Sequence, residues 1–139
     1  MDLRPITPEY AVAPQIFPED IAAIAAAGYK SVMCNRPDGE EFGQPDFHAI
    51  SEAAEAAGLD VRWVPIVNGM LRPDDVDAFK SALDELPQPL LAYCRTGTRC
   101  TMMWTMAMHG HVPDADLLKL TTEAGYDMRG LIGQMSSNP

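Results

Sequence analysis

Short β-rich runs alternate with amphipathic segments along this chain, and that alternation narrows the fold more than any other feature. Residues 10–16, 29–34, a stretch within 59–67 and residues 90–93 read as strands. Helical signals recur between them. Pro18 opens a helix with Glu19 and Asp20 in its first turn, where the helix dipole favours acid. Ile21, Ile24 and Ala25 supply its apolar stripe, and Gly28 ends it. Asp46 caps a second helix that runs to Ala57 and stops at Gly58. Pro73, Asp74 and Asp75 begin a third, with Val76, Phe79, Ala82 and Leu83 on its apolar face, and Pro87 and Pro89 close it. Strands joined by crossover helices pair in parallel, so the expected fold is α/β, a parallel central sheet flanked by helices. Pro14 marks the first strand as an edge strand. Three more helices are expected near 100–108, 114–124 and 127–135, followed by a frayed Ser-Ser-Asn-Pro end.

The chain of 139 residues reads as a single domain over 1–139, large enough to bury about two-thirds of its unfolded surface. Its net charge of -10 argues against sequence-independent nucleic-acid binding, which needs clustered positive charge. An anionic substrate must therefore be drawn in by a local patch. No charged leader precedes an apolar run, and no apolar stretch is long enough to span a bilayer, so neither secretion nor a membrane partner is expected. Three cysteines without disulfide-like spacing fit a reducing compartment, and the expected location is cytoplasmic.

The chemistry concentrates in Cys94-Arg95-Thr96-Gly97-Thr98-Arg99, between the strand ending at Tyr93 and a helix. Gly97 gives the backbone freedom of a tight loop, and Thr96 and Thr98 leave its amides accessible. Consecutive N–H groups can face inward as a nest, and the following helix N-terminus adds partial positive charge. Arg95 and Arg99 bring full charges whose forks suit a tetrahedral anion. The same field acts on the thiol. A free cysteine has a pKa of about 8.5, and helix N-termini with nearby cations lower it to roughly 3.5–7.5. Cys94 is thus the candidate nucleophile and Arg99 the candidate oxyanion ligand, with Arg95, Thr96, Gly97 and Thr98 lining the cradle. Parallel strands would bring the loops 35–44, 68–72 and 94–99 to one sheet edge, which adds Arg36 and Asn68 to the substrate-binding candidates. Arg36 either attracts substrate or pairs with Asp38 or Glu40.

The loop resembles the rhodanese active-site loop, C-R-x-G-x-R or T, whose cysteine carries sulfane sulfur. It is also similar to the C-x5-R loop of protein tyrosine and dual-specificity phosphatases, but Arg99 stands five positions after Cys94 and the sixth is Cys100, so the loop is one residue short. Tyr29-Lys-Ser-Val-Met-Cys-Asn-Arg-Pro-Asp-Gly-Glu40 resembles the early strand and loop of dual-specificity phosphatases. Val64-Pro-Ile-Val-Asn-Gly69 resembles the strand that leads into their general-acid loop. From about residue 2 to 110 the pattern resembles the phosphatase-like domain of beta-lactamase hydrolase-like proteins. That resemblance implies a protein tyrosine phosphatase-like fold with a rhodanese-like loop. It also implies a metallo-β-lactamase-fold persulfide dioxygenase as partner, in sulfide detoxification.

Asn68 stands where the phosphatases carry their general-acid aspartate, and an amide cannot protonate a leaving alkoxide. Sulfite and thiolates leave without that help. The leading expectation is therefore a sulfurtransferase in which Cys94 holds a persulfide. The alternative is a phosphatase acting through a phosphocysteine, and a second alternative is a non-catalytic redox or docking module for the dioxygenase. The substrate is a small sulfur or phosphate anion in either enzymatic case. Asp74 and Asp75 serve as first-turn helix residues, Cys34 belongs to the core, and Cys100 either packs or resolves an oxidised Cys94. His109 and His111 suit a helix end and lack cysteines at zinc-ligand spacing, so no metal or other cofactor is expected. Met102, Met103, Met106 and Met108 with Trp104 mark a buried helix rather than a cofactor surface.

Overall fold

The computed structural model describes residues 1–137. Five strands form one sheet: β1 (Arg4–Thr7), β2 (Tyr10–Ala13), β3 (Ser31–Cys34), β4 (Asp60–Trp63) and β5 (Leu90–Tyr93). Their order is β1-β2-β5-β3-β4, with β2, β5, β3 and β4 parallel and β1 antiparallel to β2. Two expectations are corrected. The strand at Tyr10 is not an edge strand, because Pro14 lies just past its last residue and leaves the ladder intact. It pairs with β5 on one side and with the unforeseen β1 on the other. The sheet is consequently mixed, not wholly parallel.

Six helices cover it: α1 (Ile21–Ala26), α2 (Phe47–Ala56), α3 (Pro73–Glu85), α4 (Thr98–Met108), α5 (Asp114–Glu123) and α6 (Arg129–Ser137). Pro18–Asp20 forms a single 3-10 turn before α1, so the first helix begins later than the proline suggests. Asp46 caps α2 as expected, its carboxylate accepting from the Ala49 amide at 2.9 Å. Ser136 and Ser137 extend α6 rather than fraying, and the expectation for 138–139 lies outside the described residues. None of the described helices is long and apolar enough to cross a membrane.

Side-chain alternation along the strands divides the core in two. Val12, Met33, Leu90, Ala92 and Cys94 point to one face, against Phe79 of α3, Met103 and Trp104 of α4, Leu117 of α5 and Ile132 of α6. Ala11, Ala13, Val32, Cys34, Leu91 and Tyr93 point to the other, against Ile21 and Ile24 of α1 and Ile50 and Ala54 of α2. Cys94 thus continues the period of β5 one residue beyond the strand. That places its sulfur on the α4 side and Cys34 on the opposite side. Because β2, β3, β4 and β5 run in parallel, the segments that follow Ala13, Cys34, Trp63 and Tyr93 all emerge at one edge. The β5 segment emerges at its centre.

Leu91 is fully buried in the central strand, against helices on one side only. Leu91→Ala should therefore cost about 2–5 kcal/mol in urea unfolding with an unchanged m-value. A loss below about 1 kcal/mol would mean that this face is not close-packed.

Candidate active site

The segment leaving β5 turns at once into α4. Gly97 makes the turn with φ +89°, a conformation that favours glycine, and stands as the N-cap of α4. Its amide donates to Cys94 Sγ at 3.1 Å. A Cβ at this position would meet Tyr126 Oη at 2.1 Å, so the α-carbon is pressed against a side chain from beyond α5. Tyr126 Oη donates to the Thr96 carbonyl at 2.9 Å, and Thr96 and Thr98 join through their hydroxyls at 2.9 Å. The loop is held from both its inner and outer surfaces.

Cys94 is completely buried, yet its pKa is pulled down from the usual thiol range to about 5. The largest cause is a hydrogen bond from the Cys100 thiol, followed in the same direction by the amides of Cys100, Thr96 and Gly97, while burial opposes the shift. Hydrogen bonds therefore do most of what the sequence assigns to arginine charge. Cys100, fully buried one turn into α4, has its own pKa raised well above the ordinary value, chiefly by burial and then by this bond to Cys94. It stays a thiol and donates. Both sequence readings of Cys100 miss this donor role, although its packing in the core is as expected.

Arg99 is 5% exposed and does not fold back over the amides. Both of its Nη nitrogens reach the carboxylate of Glu40 at 2.8 Å, and Nη1 also reaches the Ile66 carbonyl at 2.9 Å. Three of its five N–H donors are thus used, which leaves Nε–H and the second N–H of Nη2. The Arg99 hydrogen bonds, and then those of Arg36, hold the Glu40 carboxyl below its ordinary pKa, so it is ionised at neutral pH. For Arg36 the pairing alternative holds, with Glu40 as its partner. It is 2% exposed, its Nε pairs with Glu40 at 2.9 Å and its Nη1 with Gln15 Oε1 at 2.9 Å. It cannot act as a surface lure. Asp38 is not its partner but accepts from the Phe47 amide at the start of α2. Arg95 is exposed and pairs with Glu41 at 3.2 Å.

A cleft of about 630 Å³ opens beside the loop, lined by Ile66, Val67, Asn68, Gly69 and Leu71 on one wall and by Arg95, Thr96, Thr98, Arg99 and Met102 on the other. The loops after β4 and β5 therefore meet as expected, and Asn68 is on the wall. No carboxylate lines the cleft. Asp74 is exposed in the first turn of α3, and Asp75 accepts from the Arg72 amide there at 3.0 Å. Cys34 is core, as expected, with burial raising its pKa to about 11. His109 contacts Asp114 at 3.4 Å, and among the described residues no group of three or more His, Cys, Asp or Glu side chains could hold a metal ion. Met103 and Trp104 are buried in α4 as expected, whereas Met102 reaches the cleft. Glu41, Gln15 and Tyr126 escape the sequence reading, and Glu40 enters it only as a partner of Arg36, not of Arg99.

The pKa of about 5 gives a direct expectation. Thiolate is the alkylating form, so the rate of Cys94 modification by iodoacetamide should rise with pH through a midpoint near 5 and be flat above 7. Cys100→Ala removes the thiol donor and should move the midpoint upward, while Cys100→Ser keeps a donor and should move it less. A wild-type midpoint at about 8.5, the value of an unperturbed thiol, would contradict the hydrogen-bond account.

Comparison with known proteins agrees with this geometry. The sequence profile described as beta-lactamase hydrolase-like protein, phosphatase-like domain, matches residues 2–111. The beta-lactamase hydrolase-like protein of Agrobacterium fabrum is 32% identical over 119 residues, covering 84% of this chain and 28% of that protein. The protein of the same name from Xylella fastidiosa strain Temecula1 is 29% identical over 130 residues, 92% of this chain and 30% of its own length. The chain thus spans less than a third of these curated relatives. Among solved structures, a candidate phosphatase from Neisseria meningitidis Z2491 superposes with a TM-score of 0.85 at 30% identity, over 99% of this chain and 98% of that one. The core catalytic domain of a PP-IP phosphatase from S. cerevisiae superposes at 0.68 and 15% identity, over 99% and 85%, a likeness of fold alone. The fold is that of the protein tyrosine phosphatase-like proteins, and the chain belongs to the family of beta-lactamase hydrolase-like protein phosphatase-like domains.

Proposed function

We propose that the chain is a cysteine-dependent phosphatase in which Cys94 is the nucleophile. The observation that carries this reading is Cys94 at the centre of the carboxyl edge, its Sγ accepting from the Gly97 amide at 3.1 Å and its pKa lowered to about 5, with Arg99 on the wall of the adjoining cleft. The 30% identical structure named as a candidate phosphatase supports the same class over the sulfur chemistry expected from the loop. In the first step the thiolate forms an S–P bond as the ester P–O bond breaks, and the leaving group departs with the electron pair. The loop amides and the remaining Nε–H and Nη2–H of Arg99 bind the phosphoryl oxygens, and Glu40 fixes the plane of the guanidinium. Water then cleaves the phosphocysteine and restores the thiolate. Cys94 lies below the cleft rather than in its wall, so the loop must present Sγ to the phosphorus through its own rim.

The cleft wall limits the substrates. Asn68 cannot donate a proton, and Glu40 is ionised and bound to two arginines. The preferred esters are those whose leaving group departs as a stable anion, such as aryl phosphates, acyl phosphates or phosphoanhydrides. The same lack of a carboxylate in the cleft favours one second reading: sulfur transfer, with sulfite or a thiolate leaving from a sulfane-sulfur donor and Cys94 holding a persulfide. A persulfide dioxygenase partner belongs to that second reading.

One experiment separates the two. Intact mass after brief exposure to p-nitrophenyl phosphate or to thiosulfate should show a gain of about 80 Da at Cys94 with the first and none of about 32 Da with the second. The opposite pattern would replace the phosphatase by the sulfurtransferase. Asn68→Asp should raise turnover of alkyl phosphates by about tenfold or more, within the usual range for a general acid, and leave aryl phosphates nearly unchanged.

A further inference from the structure

A second hollow, of about 430 Å³, lies on the other side of the loop from the cleft. Arg36, Arg95, Thr96, Gln15 and Glu41 line it. Its polar content is unusual for two reasons. Arg36 is 2% exposed and has Nε on Glu40 and Nη1 on Gln15, but its Nη2 is buried without a hydrogen-bond partner. A buried guanidinium nitrogen left unpaired is costly, and native structures rarely leave one so. Glu41 stands beside it, its Oε2 3.7 Å from that Nη2 and 3.2 Å from Nε of Arg95. One half-exposed carboxylate therefore straddles two arginines without closing a hydrogen bond to the buried one.

We propose that this hollow is a second oxyanion subsite, that Glu41 is its intramolecular occupant, and that it receives a carboxylate or phosphate carried by the same substrate whose reacting group lies at Cys94. The inference rests on the reading of the Cys94 loop as a phosphoryl cradle, and it narrows the substrate class to molecules with two anionic groups. Arg95 and Thr96 line both the cleft and the hollow, so a single ligand can span them along the loop rim. Glu41 is easily displaced, because an ion pair with both partners largely exposed, here at 66% and 52%, contributes little. The incoming oxyanion gives Arg36 Nη2 the partner that it lacks. With Glu41 swung out, no carboxylate remains among the residues lining the hollow beside Arg36 and Arg95, which favours a second negative charge over a neutral tail.

The test needs no turnover, so its outcome is separate from that of the phosphatase assay. Calorimetric titration would compare methylphosphonate with a series of linear α,ω-bisphosphonates of one to four methylene groups, on the wild-type chain, Glu41→Gln and Arg95→Gln. Both substitutions are at exposed side chains and leave the buried Arg36–Glu40–Arg99 network intact. At least one bisphosphonate should bind wild type about tenfold tighter than methylphosphonate, which is the gain of one charge-assisted hydrogen-bonded pair. Glu41→Gln should widen that ratio and Arg95→Gln should shrink it towards the statistical factor of about two for two equivalent ends. Methylphosphonate binding with no bisphosphonate preferred beyond that factor, in wild type and Glu41→Gln alike, overturns the subsite alone. Failure of every phosphonate to bind overturns the cradle and the subsite together. An equal widening of the ratio in Glu123→Gln, an exposed change of the same charge in α5, would show a general field effect and also defeat the proposal.

Discussion

A negative charge on a sulfur atom sealed from water is the constraint around which this edge of the molecule is built. Burial alone would drive the Cys94 thiol toward neutrality, as it does for Cys34 on the opposite face of the same sheet. Cys34 is the last residue of β3 and Cys94 lies one residue past the neighbouring β5, both buried, and the donors around them differ. Hydrogen bonding from the loop and from the first turn of α4 lowers the Cys94 pKa, and three of the donors have a structural requirement of their own. The Gly97 amide needs a left-handed turn, the Cys100 amide needs the start of α4, and the Cys100 thiol needs a neighbour that forbids its own ionisation. The loop is thus a device for solvating an anion with backbone, and its residues follow from that need.

Glu40 gives the site a second tier. One carboxylate binds the fork of Arg99 and the Nε of Arg36, so two nearly buried cations are neutralised largely by a single anion from a loop that precedes α2. Such a network is rigid because losing any member leaves a charge buried and unpaired. It fixes the direction in which Arg99 presents its remaining edge, and it explains why a chain with a net charge of -10 can hold three arginines at one point. The positive charges at the edge are met by two carboxylates of one loop, Glu40 for Arg36 and Arg99 and Glu41 for Arg95.

Much of this was readable from the chain. Gly, Pro and Asp punctuation placed α2 and α3 because those signals act locally, and Leu90–Tyr93 followed by Cys-Arg-Thr-Gly-Thr-Arg was legible as strand, loop and helix for the same reason. The strand at Arg4–Thr7 was not, since four residues with a proline among them carry little periodic signal and gain their order by pairing with β2. The partner of Arg99 was not legible for a related cause. Spacing places Arg99 at the mouth of α4, but its partner Glu40 is 59 residues away and is brought there only by the order of strands β3 and β5. Loop composition showed that a sulfur anion would be stabilised; it could not show that a neighbouring thiol, rather than arginine charge, does the larger share.

Tyr126 carries a consequence for how the molecule is divided. The family pattern ends at residue 111, yet the hydroxyl that seats on Thr96 and abuts Gly97 comes from the turn between α5 and α6, with Arg4 of the first strand 5.2 Å over its ring. Tyr126 thus ties three distant parts of the chain together, the amino end through Arg4, the carboxyl-terminal quarter through its own turn, and the reactive loop through the Thr96 carbonyl, so a change at either end can reach the loop through one phenol ring.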